Sequence, residues 1–182
     1  MRIETERLRL YPLTLAQLRR ALADYTGVAH AYGATAPPMR FWERHTKRKI
    51  HRAKSFLIGC NPKSWALTTS WFIIVPSIGK LIGEVGFKGS PTDRRAVEIG
   101  YNVFECFRGN GYMSEAVDAM VRFAFFQTDY QVDRIKAFTL PKNIASHRVL
   151  EKNGFARKPT VGRYWLWERE RLSTDTDKGI FF

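Results

Sequence analysis

Cysteine is scarce in this chain: Cys60 and Cys106 are the two present among 182 residues. They form no CxxC pair and sit in no metal-ligand cluster, which argues against a disulfide framework or a zinc site and makes a reducing cytosol the simplest setting. Long apolar runs are missing as well. No stretch approaches the roughly 18 residues of a membrane span, and the opening MRIETERLRLYP is charged throughout, without the apolar core of a secretory signal. The expectation is a soluble, cytoplasmic protein with no metal. There is no GxGxxG and no GK[ST] after a glycine loop, so the dinucleotide-binding and P-loop readings are set aside. Acidic residues are few, 17 Asp+Glu against 30 Lys+Arg, and the formal net charge of +13 creates a positive field that draws in anionic partners.

What is present is enough for a core. Hydrophobic residues make up 45% and aromatics 14%, and the length suits one domain, read here as residues 1–172 followed by a loose tail over 173–182. Leu8 and Leu10 alternate with Arg7 and Arg9 up to Pro12, the period of a half-buried strand. Thr14 and Gln17 form a capping-box signature, and Leu15, Leu18, Leu22 and Tyr25 recur at helical spacing after it. Residues 40–54 carry seven Lys/Arg among Phe41, Trp42 and Ile50, and read as a basic amphipathic helix. SWALTTSWFIIVP, KLIGEVGF and AVEIGYNVF, bounded by turn residues, predict three strands in an antiparallel meander. A long helix is expected from Ser114, a strand at RIKAFTL, a helix over Ile144 to Asn153 ended by Gly154, and a closing strand pair. The fold class that follows is α/β (α+β): one mixed sheet with helices on its faces.

The most informative segment is Phe107-Arg108-Gly109-Asn110-Gly111-Tyr112-Met113-Ser114. A strand ends, two glycines allow close backbone approach, and a helix begins, so free N–H groups and the helix dipole favour a phosphate there, with Arg108 able to add a charge-assisted bond. On its own this is also an ordinary strand-to-helix turn. The segment resembles the acetyl-CoA-binding motif of GNAT acetyltransferases, an R/Q-x-x-G-x-G/A loop. Arg108, Gly111 and Met113 fall on its defining positions, and Met113 departs from the usual Gly or Ala. A second match follows: Asn143, Ser146 and Glu151-Lys152-Asn153-Gly154-Phe155 resemble the family's N-x-x-S…E-K-x-G-F segment. With the opening ETERLRLYPLT and the EIGY strand, the resemblance runs from Glu4 to about Glu168 and is similar to the RimJ/RimL-like subgroup of ribosomal-protein N-terminal acetyltransferases.

The resemblance implies a mostly antiparallel central sheet, splayed so that acyl-CoA lies in a wedge between the strand carrying Glu98 to Phe104 and the strand carrying Ile135 to Leu140. Backbone groups of Tyr101, Val103 and Phe104 would bond the pantetheine, and residues Arg108, Gly109, Asn110, Gly111, Tyr112, Met113 and Ser114 the pyrophosphate. The Asn143 amide would bond the cofactor arm, although Asn143 also suits a plain helix N-cap.

Amine acylation needs a base and a donor for the leaving thiolate. Glu98, buried among Ile99, Tyr101 and aromatic neighbours, is the first candidate base; a salt-bridged Glu at the rim is the competing reading. Glu84 is the second candidate, or else a solvated strand residue. The Tyr that many relatives carry in the last helix is Leu150 here, and Ser146 is the hydroxyl the RimJ/RimL-like pattern offers in its place, with water as competitor. His147 is expected to be an exposed surface residue. The amine acceptor is open, a protein N-terminus or a small amine being favoured. Ribosome or RNA proximity is an expectation from charge alone, and monomer and homodimer both stay open. Two rival functions remain: an acyl-CoA sensor without turnover, suggested by the missing Tyr, and a nucleic-acid-binding module built on residues 40–54.

Overall fold

The computed structural model describes residues 1–37, 65–88, 95–126, 131–173 and 175. The basic segment 40–54, Trp42, Cys60 and nearly all of the tail therefore lie outside the described residues.

The chain begins with a short hairpin, β1 (Ile3–Glu4) and β2 (Arg9–Pro12), the first strand being too short for any sequence pattern to announce it. Thr14 then starts α1 (Leu15–Ala23) with both halves of the expected capping box. Tyr25 does not continue that helix. Asp24 ends α1 and at the same time caps α2 (Tyr25–His30), its carboxylate accepting from the Gly27 N–H at 2.7 Å.

The meander follows as β3 (Ser70–Val75), β4 (Lys80–Lys88) and β5 (Ala96–Val103), each antiparallel to the next. Residues 65–69 are a turn rather than strand, since the Thr68 and Thr69 N–H groups both donate to the Trp65 carbonyl. The long helix α3 (Tyr112–Phe126) begins two residues earlier than the apolar period suggests. It is followed by β6 (Arg134–Thr139), α4 (Ile144–Lys152), β7 (Ala156–Val161) and β8 (Tyr164–Glu170).

Among the described residues the eight strands form one sheet in the order β1-β2-β3-β4-β5-β6-β8-β7. All neighbours are antiparallel except β5 and β6, the one junction where the chain must cross over through a helix. The two faces bury different helices. Trp71, Ile73, Val85, Val97 and Ile99 pack with α3 and with Leu150 of α4, while Phe72, Ile74 and Leu81 pack with Leu18, Tyr25 and Val28 of α1 and α2. Each fully buried Leu, Val or Phe in these layers contributes on the order of 1.5–3 kcal/mol. Trp71 and Trp167 belong to this core.

At the edge of the core, the turn between β1 and β2 is tied to the first turn of α3. Glu115 accepts from the Thr5 hydroxyl at 2.6 Å, from the Arg7 N–H at 2.9 Å and from the Arg7 Nε at 2.7 Å. Burial alone would raise the Glu115 carboxyl, but these bonds and the guanidinium charge outweigh it and hold the group below its ordinary value.

Two outcomes follow. A folded-state value below the unfolded one gives stability that is present above the unfolded pKa and lost as pH falls through the folded one. Thermal melts across acid pH should therefore show Glu115→Gln losing its excess destabilisation relative to wild type as the pH drops below that of a normal carboxylate. Gly154 ends α4 at φ +72°, a conformation that costs an L-residue roughly 1–2 kcal/mol. Gly154→Ala is expected to lower unfolding free energy by about that amount in urea titration, since a methyl group there would meet only Arg169, at an ordinary contact distance of 3.9 Å.

Candidate functional site

The parallel junction is short. β5 and β6 pair at Ala96–Arg134, Val97–Ile135 and Glu98–Lys136, and then they part. β5 continues against β4 up to Val103, while Ala137 to Thr139 of β6 continue against β8. The expected wedge is therefore present between these strands. Within a strand, successive residues turn their backbone groups to opposite edges. The Phe104 N–H points to β4, where it donates to the Ile82 carbonyl at 2.9 Å, so Tyr101 and Val103 turn theirs toward the opened side. Phe104 itself corrects the expectation of a cofactor contact by its N–H. That donor is committed to Ile82, and its carbonyl accepts from Phe107 at 3.0 Å, so both groups anchor the exit from the strand.

One 3-10 turn, Glu105–Phe107, leads into the glycine loop. Gly109 and Gly111 have φ of +81° and +77°, and a Cβ on Gly109 would meet nothing within 4 Å; backbone conformation, not crowding, is what calls for glycine. The Asn110 side chain braces the loop, its Nδ2 donating to the carbonyls of Phe107 and Arg108 at 3.2 and 3.1 Å. The first bond inside α3 runs from the Glu115 N–H to the Gly111 carbonyl at 3.2 Å. The N–H groups of Tyr112, Met113 and Ser114 lie ahead of it, outside the helix's own ladder and at the positive end of its dipole. Met113 buries its side chain in the core, leaving only its backbone at the helix start. Arg108 is largely exposed, 3.5 Å from a Glu105 that is itself solvated, a pair of little energetic weight. The fold thus brings residues 108–114 into a single turn at the mouth of the wedge.

On the opposite wall, Asn143 caps α4, its Oδ1 accepting from the Ser146 N–H at 3.3 Å. This leaves the Nδ2 donors free of any acceptor among the described residues, so the cap and a ligand contact are compatible. Ser146 is half-buried, and its carbonyl accepts from the Tyr101 hydroxyl at 3.2 Å, which links β5 to α4. Burial pushes the Tyr101 phenol up to about 12, so it stays protonated at neutral pH. Leu150 is fully buried and offers no chemistry.

His147 is a correction. It is 5% exposed, stacked on Trp165 at 4.7 Å and near Trp167 at 5.4 Å, with Nε2 3.2 Å from the Leu140 carbonyl. Its helix position faces the C-terminal strands, which is why local spacing misjudged it.

The two carboxylates stand on the α1/α2 face. Strand alternation puts Ile99 and Tyr101 on the other face, so the picture of Glu98 buried among them is corrected. Glu98 instead pairs with Lys88 at 2.6 Å, the rim arrangement. It belongs to a cross-strand series of alternating charge, Lys88, Glu98, Lys136 and Glu168, in register from β4 to β8, with Lys136 3.8 Å from Glu168. Glu84 is not solvated: it is 5% exposed and accepts from the Ser70 hydroxyl. Sequence reasoning missed the Thr5, Arg7 and Glu115 contacts, and the phenol of Tyr101; the ETER opening and the Glu after Ser114 were the signals at hand.

Among the described residues, no group of His, Cys, Asp and Glu could hold a metal ion, and no helix is long and apolar enough to cross a membrane.

Comparison with known proteins agrees with this geometry. The sequence profile described as an Acetyltransferase (GNAT) domain matches residues 7–156. YjdG of Bacillus subtilis strain 168, described as an uncharacterized N-acetyltransferase, is 31% identical over 98 residues, 54% of this chain and 57% of its own length. YjcK of the same organism, a probable N-acetyltransferase, is 37% identical over 87 residues, 47% of each chain. The chain thus spans about half the length of the curated relatives it matches. Of solved structures, the ribosomal-protein-S5-alanine acetyltransferase of Vibrio fischeri superposes with a TM-score of 0.64 at 16% identity, over 97% of this chain and 100% of that one. RimL, a ribosomal L7/L12 alpha-N-protein acetyltransferase in complex with coenzyme A, does so at 0.64 and 15% identity, over 93% and 98%. At such identities the likeness is one of fold. The profile match, which extends from Arg7 to Ala156 and so takes in the glycine loop, the wedge and α4, establishes that the chain belongs to the GNAT acetyltransferase family.

Proposed function

We propose that the protein is an acetyl-CoA-dependent N-acetyltransferase of the RimJ/RimL-like kind, acting in the cytoplasm on a peptide N-terminal α-amine or a small primary amine. The observation that carries this reading is the parting of β5 from β6 after Glu98–Lys136, which opens one strand edge directly beside the glycine loop. The residues present fit the donor. The unladdered N–H groups at the start of α3, with Arg108, would hold the pyrophosphate; Tyr101 and Val103 would meet the pantetheine amides; and the Asn143 Nδ2 would meet the cofactor arm. Acetyl-CoA, when bound, supplies the acetyl thioester.

The remaining chemistry falls to this chain. A base must take the proton of the attacking amine, and Glu98, at the closed end of the wedge, is the carboxylate we assign to it, acting directly or through water. Glu84, on the same face, is the second candidate. Ser146 is the hydroxyl assigned to protonating the departing thiolate. The acceptor class follows from acid–base chemistry: an α-amine with a pKa near 8 is roughly one-tenth neutral at pH 7, whereas a lysine near 10.4 is neutral in about one molecule per few thousand. The Asn143 and Ser146 pair, and the shared fold with two ribosomal-protein acetyltransferases, support the RimJ/RimL-like reading.

The test is thiol release from acetyl-CoA with peptides bearing free N-termini, small amines and lysine peptides. Turnover is expected with α-amines, falling by about 10²–10⁴ in whichever of Glu98→Gln and Glu84→Gln removes the base. Ser146→Ala is expected to lower kcat while leaving acetyl-CoA affinity, read by calorimetry, within about twofold, a change of roughly 0.4 kcal/mol. If acetyl-CoA binds and no acceptor yields free CoA, the catalytic reading fails and a sensor role replaces it.

A further inference from the structure

One side chain from the N-terminal hairpin reaches the glycine loop. Arg7 stands in the turn between β1 and β2, and its polar groups converge on the loop and the first turn of α3. Its backbone N–H and its Nε donate to the two oxygens of Glu115, and Nη2 lies 2.7 Å from the second of them. Nη1 donates to the Asn110 carbonyl at 3.1 Å. The guanidinium also lies 4.8 Å from the centre of the Tyr112 ring, and Nη2 is 3.5 Å from the point where a Gly111 side chain would begin.

Two physical consequences meet here. The Asn110–Gly111 peptide is planar and trans, so its carbonyl and its N–H point in opposite directions. Rotation of that peptide turns φ of Gly111, which lies at positive φ and, lacking a Cβ, resists it little unaided. Holding the Asn110 carbonyl toward Arg7 therefore fixes the Gly111 N–H on the opposite side. Glu115, meanwhile, places a negative charge in the first turn of the helix that would receive phosphates. A two-bond guanidinium pair neutralises it where a bare carboxylate would repel the ligand.

We propose that Arg7 is a positioning residue for the donor's diphosphate: it locks the 110–111 peptide in the receiving orientation and cancels the Glu115 charge. This inference rests on the reading of the loop as the donor's phosphate site. Lysine cannot reproduce it, because a single ammonium lacks the fork that spans both Glu115 and Asn110.

The experiment compares two acyl donors on the same protein sample: acetyl-CoA, and acetyl-pantetheine, which has no diphosphate. Arg7→Met is expected to raise KM for acetyl-CoA about tenfold or more, with kcat and the acetyl-pantetheine KM each within about twofold; on the free-energy scale tenfold is about 1.4 kcal/mol. Arg7→Lys should fall between Arg7→Met and wild type. Because both donors are read on one sample, a smaller folded fraction lowers both rates alike and leaves the KM contrast intact. An equal rise in KM for both donors, or no rise for either, would overturn the inference. Calorimetry with CoA separates the two levels: wild type binding CoA while Arg7→Met binds it equally well overturns the role of Arg7 alone. Failure of wild type to bind CoA at all overturns the phosphate-loop reading on which that role stands.

Discussion

The arrangement of the whole site depends on where one parallel pairing stops. β5 and β6 run side by side only as far as Glu98 and Lys136, and each strand then leads to one wall of the gap. β5 leads through Phe104 and a 3-10 turn to the glycine loop and α3; β6 leads to Asn143, Ser146 and α4. Had the pairing continued through Thr139, the backbone groups of Tyr101 and Val103 would be occupied, and loop and cap would stand at the end of a closed sheet. The alternating charges of Lys88, Glu98, Lys136 and Glu168 lie across the sheet at the closed end, where opposite charges in neighbouring strands add favourable cross-strand contacts.

Most of the fold was legible because its signals are local. The Thr14–Gln17 capping box, the turn residues that bound KLIGEVGF and AVEIGYNVF, and Gly154 at the end of α4 each act over a few residues, and the capped helix, the two strands and the left-handed glycine appear in the structure as read. What the sequence concealed was set by partners distant in the chain. His147 is buried because Trp165 and Trp167 arrive beside it from β8, which no helical spacing within α4 could reveal. Glu98 is ion-paired because Lys88 faces it across a hairpin, and Asp24 divides one apolar period into two helices by capping the second.

The site was legible as residue types and only partly as geometry. The segment 108–114 and the Asn143–Ser146 pair were visible as motifs because backbone conformation and capping impose residue choices at fixed spacing. Arg7 and Glu115, 108 residues apart, carry no such spacing. Phe104 shows the reverse limit: its place beside the loop was correctly read, but the direction of its N–H depends on strand register, which composition does not specify.

The sheet is, in mechanical terms, two sheets stitched at one short seam. Five strands lie on one side and three on the other, joined through Ala96–Arg134, Val97–Ile135 and Glu98–Lys136, whereas β4 and β5 share pairs from Gly83–Val103 to Lys88–Glu98. A seam with fewer rungs resists bending less than one with more, and the wedge opens from its end. The width of the gap is therefore a compliant dimension of the sheet, and the stiffness that limits it resides in helix α3, packed beneath the strands, and in the bonds that link the two walls, from the Tyr101 hydroxyl to the Ser146 carbonyl and from the Asn153 Nδ2 to the Ser114 carbonyl.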